Sequence, residues 1–146
     1  GHAYQIGGQN YLIPTDIDEN ITAEDAISLS IDLNKFLRQN IPGNKKIIFL
    51  DACRNNPFNS RELAPINVHG YGDNTLVSFA TAAGKYAYDG SDDYSPYAQA
   101  LAKIINKRKD IVLLLRDVRT DVRRLTNNNQ TTSNYSNLVD DIVLAN

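Results

Sequence analysis

Two short apolar runs constrain this chain more than any other feature. Ile47-Ile48-Phe49-Leu50 is uninterrupted, with lysines before it and Asp51 after it, and Leu76 to Ala80 reads in the same way. Neither shows the strict apolar/polar alternation of a strand with one wet face. Both fit strands buried on two sides, as in a parallel sheet covered by helices. Helical segments surround them. Ala26, Leu29, Leu33 and Phe36/Leu37 recur at helical spacing behind Thr22 and Asp25, which are spaced as a capping box, so a helix is expected over 23–39 until Pro42-Gly43-Asn44 stops it. Ser95-Pro96 is a hydroxyl cap followed by first-turn proline, with Tyr97, Ala98, Leu101, Ala102 and Ile105 as an apolar face. A further helix begins after Asp110, with Val112, Leu115, Val118, Val122 and Leu125 inward. Tyr11 to Pro14, after Gly7-Gly8, suggests a hairpin or strand edge. The tract 126–137 reads as a loop and Leu138–Leu144 as a last strand. This order of elements argues an α/β fold.

Composition removes several function classes. A chain of 146 residues, 42% hydrophobic, makes one domain with a real core. Fifteen basic against seventeen acidic side chains leave a net charge of −2, which excludes a generally basic nucleic-acid binder. No apolar run is long enough for a membrane helix, and no signal-peptide pattern opens the chain. A single cysteine excludes an internal disulfide and fits a reducing compartment such as the cytoplasm. One cysteine and two histidines fall short of a four-ligand zinc site, so no metal and no cofactor is expected. There is no methionine, so the chain is expected to have lost its beginning.

Cys53 lies just past the carboxyl end of the first strand, the edge of an α/β sheet where ligands and catalytic groups collect. A lone cysteine commonly serves as a small buried hydrophobe. Here Asp51, Arg54, Asn55 and Asn56 crowd around it, and a polar strand-to-loop junction is a poor place for a core residue. Arg54 is placed to favour the thiolate, the nucleophilic form. A base is needed, and only His2 and His69 are available. His69 sits in the long segment 52–75, rich in Asn, Pro and Gly, of a length that is usually functional or disordered. On its own, His2 is as compatible with a cloning remnant as with a catalyst.

Gly1-His2-Ala3 followed by Gly8-Gln9-Asn10-Tyr11-Leu12-Ile13-Pro14 resembles the histidine segment of bacterial caspase-like peptidases, the metacaspase and orthocaspase group. Asp51-Ala52-Cys53-Arg54-Asn55-Asn56-Pro57-Phe58 is similar to their nucleophile segment. A histidine about 50 residues before the cysteine is the caspase spacing. Thr75–Ala82, Asp89-Gly90 and Ser95–Leu101 resemble the small-subunit half of the same family. The resemblance implies a caspase-like three-layer sandwich with a mostly parallel central sheet, here lacking its first strands. It divides the chain into 1–58 with His and Cys, an intersubunit-type loop over 59–75, and a small-subunit-like half over 76–146.

The same resemblance implies that Cys53 is the nucleophile and His2 the proton donor to the leaving amine. Backbone amides of Cys53 and Ala3 would hold the oxyanion. The family usually has glycine where Ala3 stands, so a backbone needing positive φ would be strained there. Asp51 and Asp89 match the acids that shape the pocket for the residue before the cut, which implies cleavage after Arg or Lys. Without the family, Asp51 reads as a strand-end turn residue and Asp89 as a loop acid, with Asp92 and Asp93 as alternatives for the second carboxylate. Arg61 is the candidate processing site. Some members need calcium, but no ligand loop of that kind is present. Peptides with Arg or Lys before the cut are therefore the expected partners, with no nucleic acid and no membrane. The first half of the sheet is expected from a separate chain or an upstream segment, because a bare central strand would aggregate.

Two rival readings stand beside this one. One is a caspase-like domain that has lost activity and works as a scaffold. The other is a flavodoxin-like anion-binding domain, which would need a Gly-rich loop after a strand, whereas Gly7-Gly8 precedes one. Residues 103–124 carry eight basic and three acidic side chains, with Arg116, Arg119 and Arg123 on one helix face. That pattern suits a solvated face better than a nucleic-acid footprint.

Overall fold

The computed structural model describes residues 2–6, 9–14, 31–54, 71–90 and 94–145. Strands β1 (His2–Ile6) and β2 (Gln9–Ile13) form an antiparallel hairpin, with Ala3 opposite Leu12. A two-residue strand, β3 (Ile31–Asp32), pairs antiparallel with β2. Helix α1 (Leu33–Asn40) follows at once, capped by Asp32, whose carboxylate accepts from the Lys35 amide at 3.1 Å. The helix is therefore shorter than its apolar spacing predicts. Residues 31 and 32 are in a strand, and the capping box at Thr22 and Asp25 lies outside the described residues.

The second sheet holds β4 (Lys46–Leu50), β5 (Thr75–Phe79) and β6 (Ser133–Ser136) in that order. β4 and β5 run parallel and β6 runs antiparallel to β5. β5 is buried throughout and β4 is half-buried, and each packs on two faces as its composition requires. Ile47, Phe49 and Leu76 join a core under helices α2 (Pro96–Ile104) and α3 (Ile111–Leu125), with Ala100, Ile104, Leu114, Val118 and Val122. Ile48, Leu50, Val77 and Phe79 point the other way, against Leu33, Leu37, Leu12 and Tyr71. Period-two alternation along β4 and β5 thus feeds two cores, one on each side.

The ends of the helices follow their sequence signals. Ser95 caps α2 by accepting from the Ala98 amide at 3.0 Å, and Asp110 caps α3 by accepting from Val112 and Leu113. The buried face of α2 is Pro96, Tyr97, Ala100 and Ile104, so Ala98 and Ala102 do not lead it as spacing suggests. Leu125, expected inward, is 40% exposed at the end of α3. The expected last strand is not at Leu138–Leu144, where one isolated bridge joins Val143 to Asp110 and Val139 is 82% exposed. The polar segment Ser133–Ser136 pairs with β5 instead. Asn137 secures the join, accepting from the Thr75 amide at 2.6 Å and donating to Gly72 O at 3.1 Å. Among the described residues no helix is long and apolar enough to cross a membrane.

Two phenols are sealed into these cores. Tyr97 donates to Ser78 Oγ at 2.8 Å beneath α2, and Tyr71 accepts from Asn10 Nδ2 at 2.6 Å on the opposite side. Burial, which penalises the phenolate, pushes both up to about 12. The neutral phenol is therefore bound more tightly in the folded chain than in the unfolded one. That stabilisation is fully present below pH 10 and is lost as pH rises from 10 through about 12. In an alkaline absorbance titration of the eight tyrosines, Tyr71 and Tyr97 are expected to ionise last, together with unfolding. Substituting either by Phe should remove one late-titrating group, and an unchanged titration would contradict the assignment.

Candidate active site

Cys53 stands three residues beyond β4 in non-helical backbone, and two sets of contacts hold it there. The Ala80 amide donates to Leu50 O at 2.9 Å, continuing the pairing past the end of β5. The Arg54 amide then donates to Lys85 O at 3.0 Å, and Gly84 N donates to Arg54 O at 2.9 Å. The cysteine segment is thereby laced to the segment that follows β5. The half-buried Cys53 Sγ lies 3.4 Å from the Ala87 amide, which donates to it, and 3.5 Å from Ala87 O. A thiol with a backbone donor beside it and partial exposure is available for chemistry, unlike one sunk in an apolar core.

Arg54, the next residue, is 2% exposed. Its guanidinium donates to Asn10 Oδ1 at 3.3 Å and Ser133 Oγ at 3.0 Å and lies 3.9 Å over the Phe79 ring. Nη2 is buried with no partner among the described residues. Desolvation pushes this guanidinium below its usual range, although nearby Tyr71 works the other way. The side chain expected to sit beside the thiol is thus built into the interior, where it ties β2, β5 and β6 to the cysteine segment. Ser133 passes the connection on by donating to Thr81 O at 3.1 Å.

Ala3 is buried and lines a small void of about 10 Å³ together with Ala52, Cys53, Arg54 and Phe79. The residue after His2 and the cysteine therefore border one space, with room for about one water. Ala3 lies in extended strand backbone paired with Leu12, so a strained positive φ does not arise there. The His2 backbone is in register with Ile13.

The two acids occupy different surroundings. Asp51 is exposed at the end of β4, and Ser95 Oγ donates to its Oδ2 at 2.5 Å, tying the carboxylate to the N-terminus of α2. Asp89 is exposed and lines a cavity of about 440 Å³ with Tyr88, Gln99, Thr126, Asn127 and Asn129. The hydrogen bonds among the described residues do not join the two carboxylates. Arg61, His69, Asp92 and Asp93 lie outside the described residues. No group of His, Cys, Asp or Glu able to hold a metal occurs among the described residues.

Two arginines of the basic stripe on α3 are engaged within the fold, while Arg116 is exposed. Arg119 donates to Thr132 O and Asn134 Oδ1, and Arg123 to Asn128 Oδ1. Asp117 pairs with Lys109, and Asp121 with Lys103 and Arg124. Hydrogen bonding by Lys103 holds the Asp121 carboxyl below the usual range. These contacts are those of a self-neutralised surface. Gln130 and Ser133 have no signal in the sequence, and Asn10 has none beyond its place in the histidine segment; their polar side chains are explained by tertiary partners.

The fold and site define an α/β protein with helices on its sheet and a lone thiol at the sheet's carboxyl edge. A family model for the caspase domain, Peptidase_C14, matches residues 1–143, and the chain belongs to that family. Solved structures similar to it include caspase-1 from Spodoptera frugiperda, at 19% identity and TM-score 0.49, covering 66% of this chain. The chain spans 46% of the length of that protein. A comparison with curated proteins finds no match.

Proposed function

We propose that this domain is a cysteine endopeptidase of the metacaspase/orthocaspase type that hydrolyses peptide bonds after Arg or Lys. The observation that carries the reading is the convergence at Cys53: Ala3, next to His2, borders the same void, and Ala87, two residues before Asp89, touches the sulfur. The Cys53 thiolate attacks the scissile carbonyl carbon, and the carbonyl electrons move onto oxygen. Amides of Cys53 and Ala3 stabilise that oxyanion. The imidazolium of His2 then gives its proton to the leaving amine as the C–N bond breaks. Water, deprotonated by His2, hydrolyses the thioester and restores the thiol.

In this reading Asp51 and Asp89 receive the guanidinium or ammonium before the cut. The Ser95 contact supports it for Asp51, because a hydroxyl donor at the start of α2 holds that carboxylate in one orientation. The division at 59–75 and self-cleavage at Arg61 belong to the same proposal, as do a bacterial cytoplasmic setting and peptide substrates. β4 has one pairing partner among the described residues, β5, and further strands added to its other edge complete the proposed sheet.

The test uses peptides that differ only in the residue before the cut. Arg and Lys peptides should exceed the Asp peptide by about 1,000-fold in kcat/KM, since a wrong-sign charge meets two carboxylates. Asp51→Ala and Asp89→Ala should each cost roughly 10- to 100-fold, the worth of one charge-assisted contact. Cleavage after Asp would retain the enzyme and sink the pocket. No turnover of any peptide would favour the scaffold reading, in which the fold serves only to recruit partners.

A further inference from the structure

The tract 126–137 reads as a loop, yet one of its side chains is among the most deeply buried in the molecule. Gln130 is 1% exposed, and its amide bridges two backbones that no strand pairing joins. Oε1 accepts from the Tyr88 amide at 2.9 Å, and Nε2 donates to Ala80 O at 2.9 Å. Its own backbone is held by Thr126, whose hydroxyl accepts from the Gln130 amide at 3.0 Å while donating to Val122 O at 2.8 Å at the end of α3. Asn127 and Asn128 take left-handed backbone, with φ of 49° and 65°, to turn the chain so that Gln130 points inward. Arg123 fixes Asn128 from the last turn of the helix.

Tyr88 lies between two residues of the site. Ala87 before it meets Cys53 Sγ, and Asp89 after it lines the large cavity. The segment 85–90 has no regular secondary structure, so it lacks a ladder of its own to fix its height above the sulfur. We propose that Gln130 is a positioning residue for peptide hydrolysis: its amide clamps the Tyr88 backbone to the end of β5, setting the placement of Asp89 at the large cavity. This rests on the hydrolase reading above. The clamp acts on substrate placement rather than on the nucleophile. Its loss should therefore raise KM for peptides while leaving the intrinsic reactivity of Cys53 toward a small alkylating agent unchanged.

Gln130→Met keeps the length and volume of the side chain and removes both hydrogen bonds. In the full-length protein, KM for an Arg peptide is expected to rise at least ~10-fold. Iodoacetamide alkylation of Cys53 should stay within about twofold of the wild-type rate. A folded Gln130→Met protein with unchanged KM overturns the proposal. So does an equal fall in peptide hydrolysis and alkylation, which would mark a structural role alone. If the variant does not fold, amide exchange in the wild type decides: a Tyr88 amide exchanging at its free-peptide rate overturns the clamp, and a slowed one supports it. A wild type that hydrolyses no peptide overturns the hydrolase reading and this proposal together, and is distinguished from failure of the clamp by the same exchange measurement.

Discussion

Cys53→Ala is expected to abolish peptide hydrolysis, lowering kcat by about 10,000-fold or more, because in the proposed mechanism the single cysteine forms the acyl intermediate. Removing the nucleophile of an assembled protease site costs as much or more in comparable enzymes. The fold should be indifferent to the change. Among the described residues Sγ makes two long polar contacts, both with Ala87, so stability should shift by less than about 1 kcal/mol. His2→Ala is expected to cost about 100- to 10,000-fold, the range of a lost general acid–base group. Steady-state hydrolysis of an Arg peptide, with urea unfolding of each variant alongside, separates chemistry from stability. Residual turnover by Cys53→Ala near the wild-type rate would remove this residue from the mechanism.

Arg54→Ala is expected to be the most damaging single change to the fold, at about 3–5 kcal/mol, the scale of truncating a large buried side chain. Several losses combine. The Phe79 ring loses its covering cation, Asn10 Oδ1 loses its donor, and the void beside Cys53 and Ala3 enlarges. Arg54→Met should cost far less, about 1–2 kcal/mol, because it retains the apolar stem and removes a charge that burial disfavours. The urea midpoints of the two variants test this ordering. An Arg54→Ala midpoint indistinguishable from wild type would mean that the guanidinium is a passenger.

The contrast between these residues separates what local sequence carries from what only tertiary partners supply. β4 and β5 announce themselves because a continuous apolar run leaves few alternatives to a strand buried on both sides. Ser95 and Asp110 announce helix starts because capping is local chemistry. Cys53 stands out by its position at the end of such a strand, and the family resemblance adds His2, Asp51 and Asp89. β6 could not be found this way. Ser133-Asn134-Tyr135-Ser136 has no strand-like apolar content, and it becomes a strand because β5 offers it a free ladder and Arg54 and Arg119 bind its side chains. Leu138–Leu144 misleads for the opposite reason: it has apolar content but no ladder to join. Gln130 is likewise invisible, and Arg54 stands out only as a neighbour of Cys53 and not as an interior residue, since a buried arginine or glutamine is defined by partners many residues away.

The position of β5 carries a consequence for how the molecule is made. Its two neighbours are distant along the chain: β4 comes before a long intervening segment, and β6 comes after both α2 and α3. Sheets joined by such remote pairings assemble slowly, because loop closure is spent before the contacts reward it. Helices α2 and α3 are neighbours in sequence and pack together, so they can dock early. During synthesis, β4 and β5 emerge from the ribosome before either helix or the final strand exists to cover them. Until α2, α3 and β6 are made, β4 and β5 lack the elements that cover one face and one edge of their sheet in the folded protein, an interval in which apolar segments are prone to aggregate.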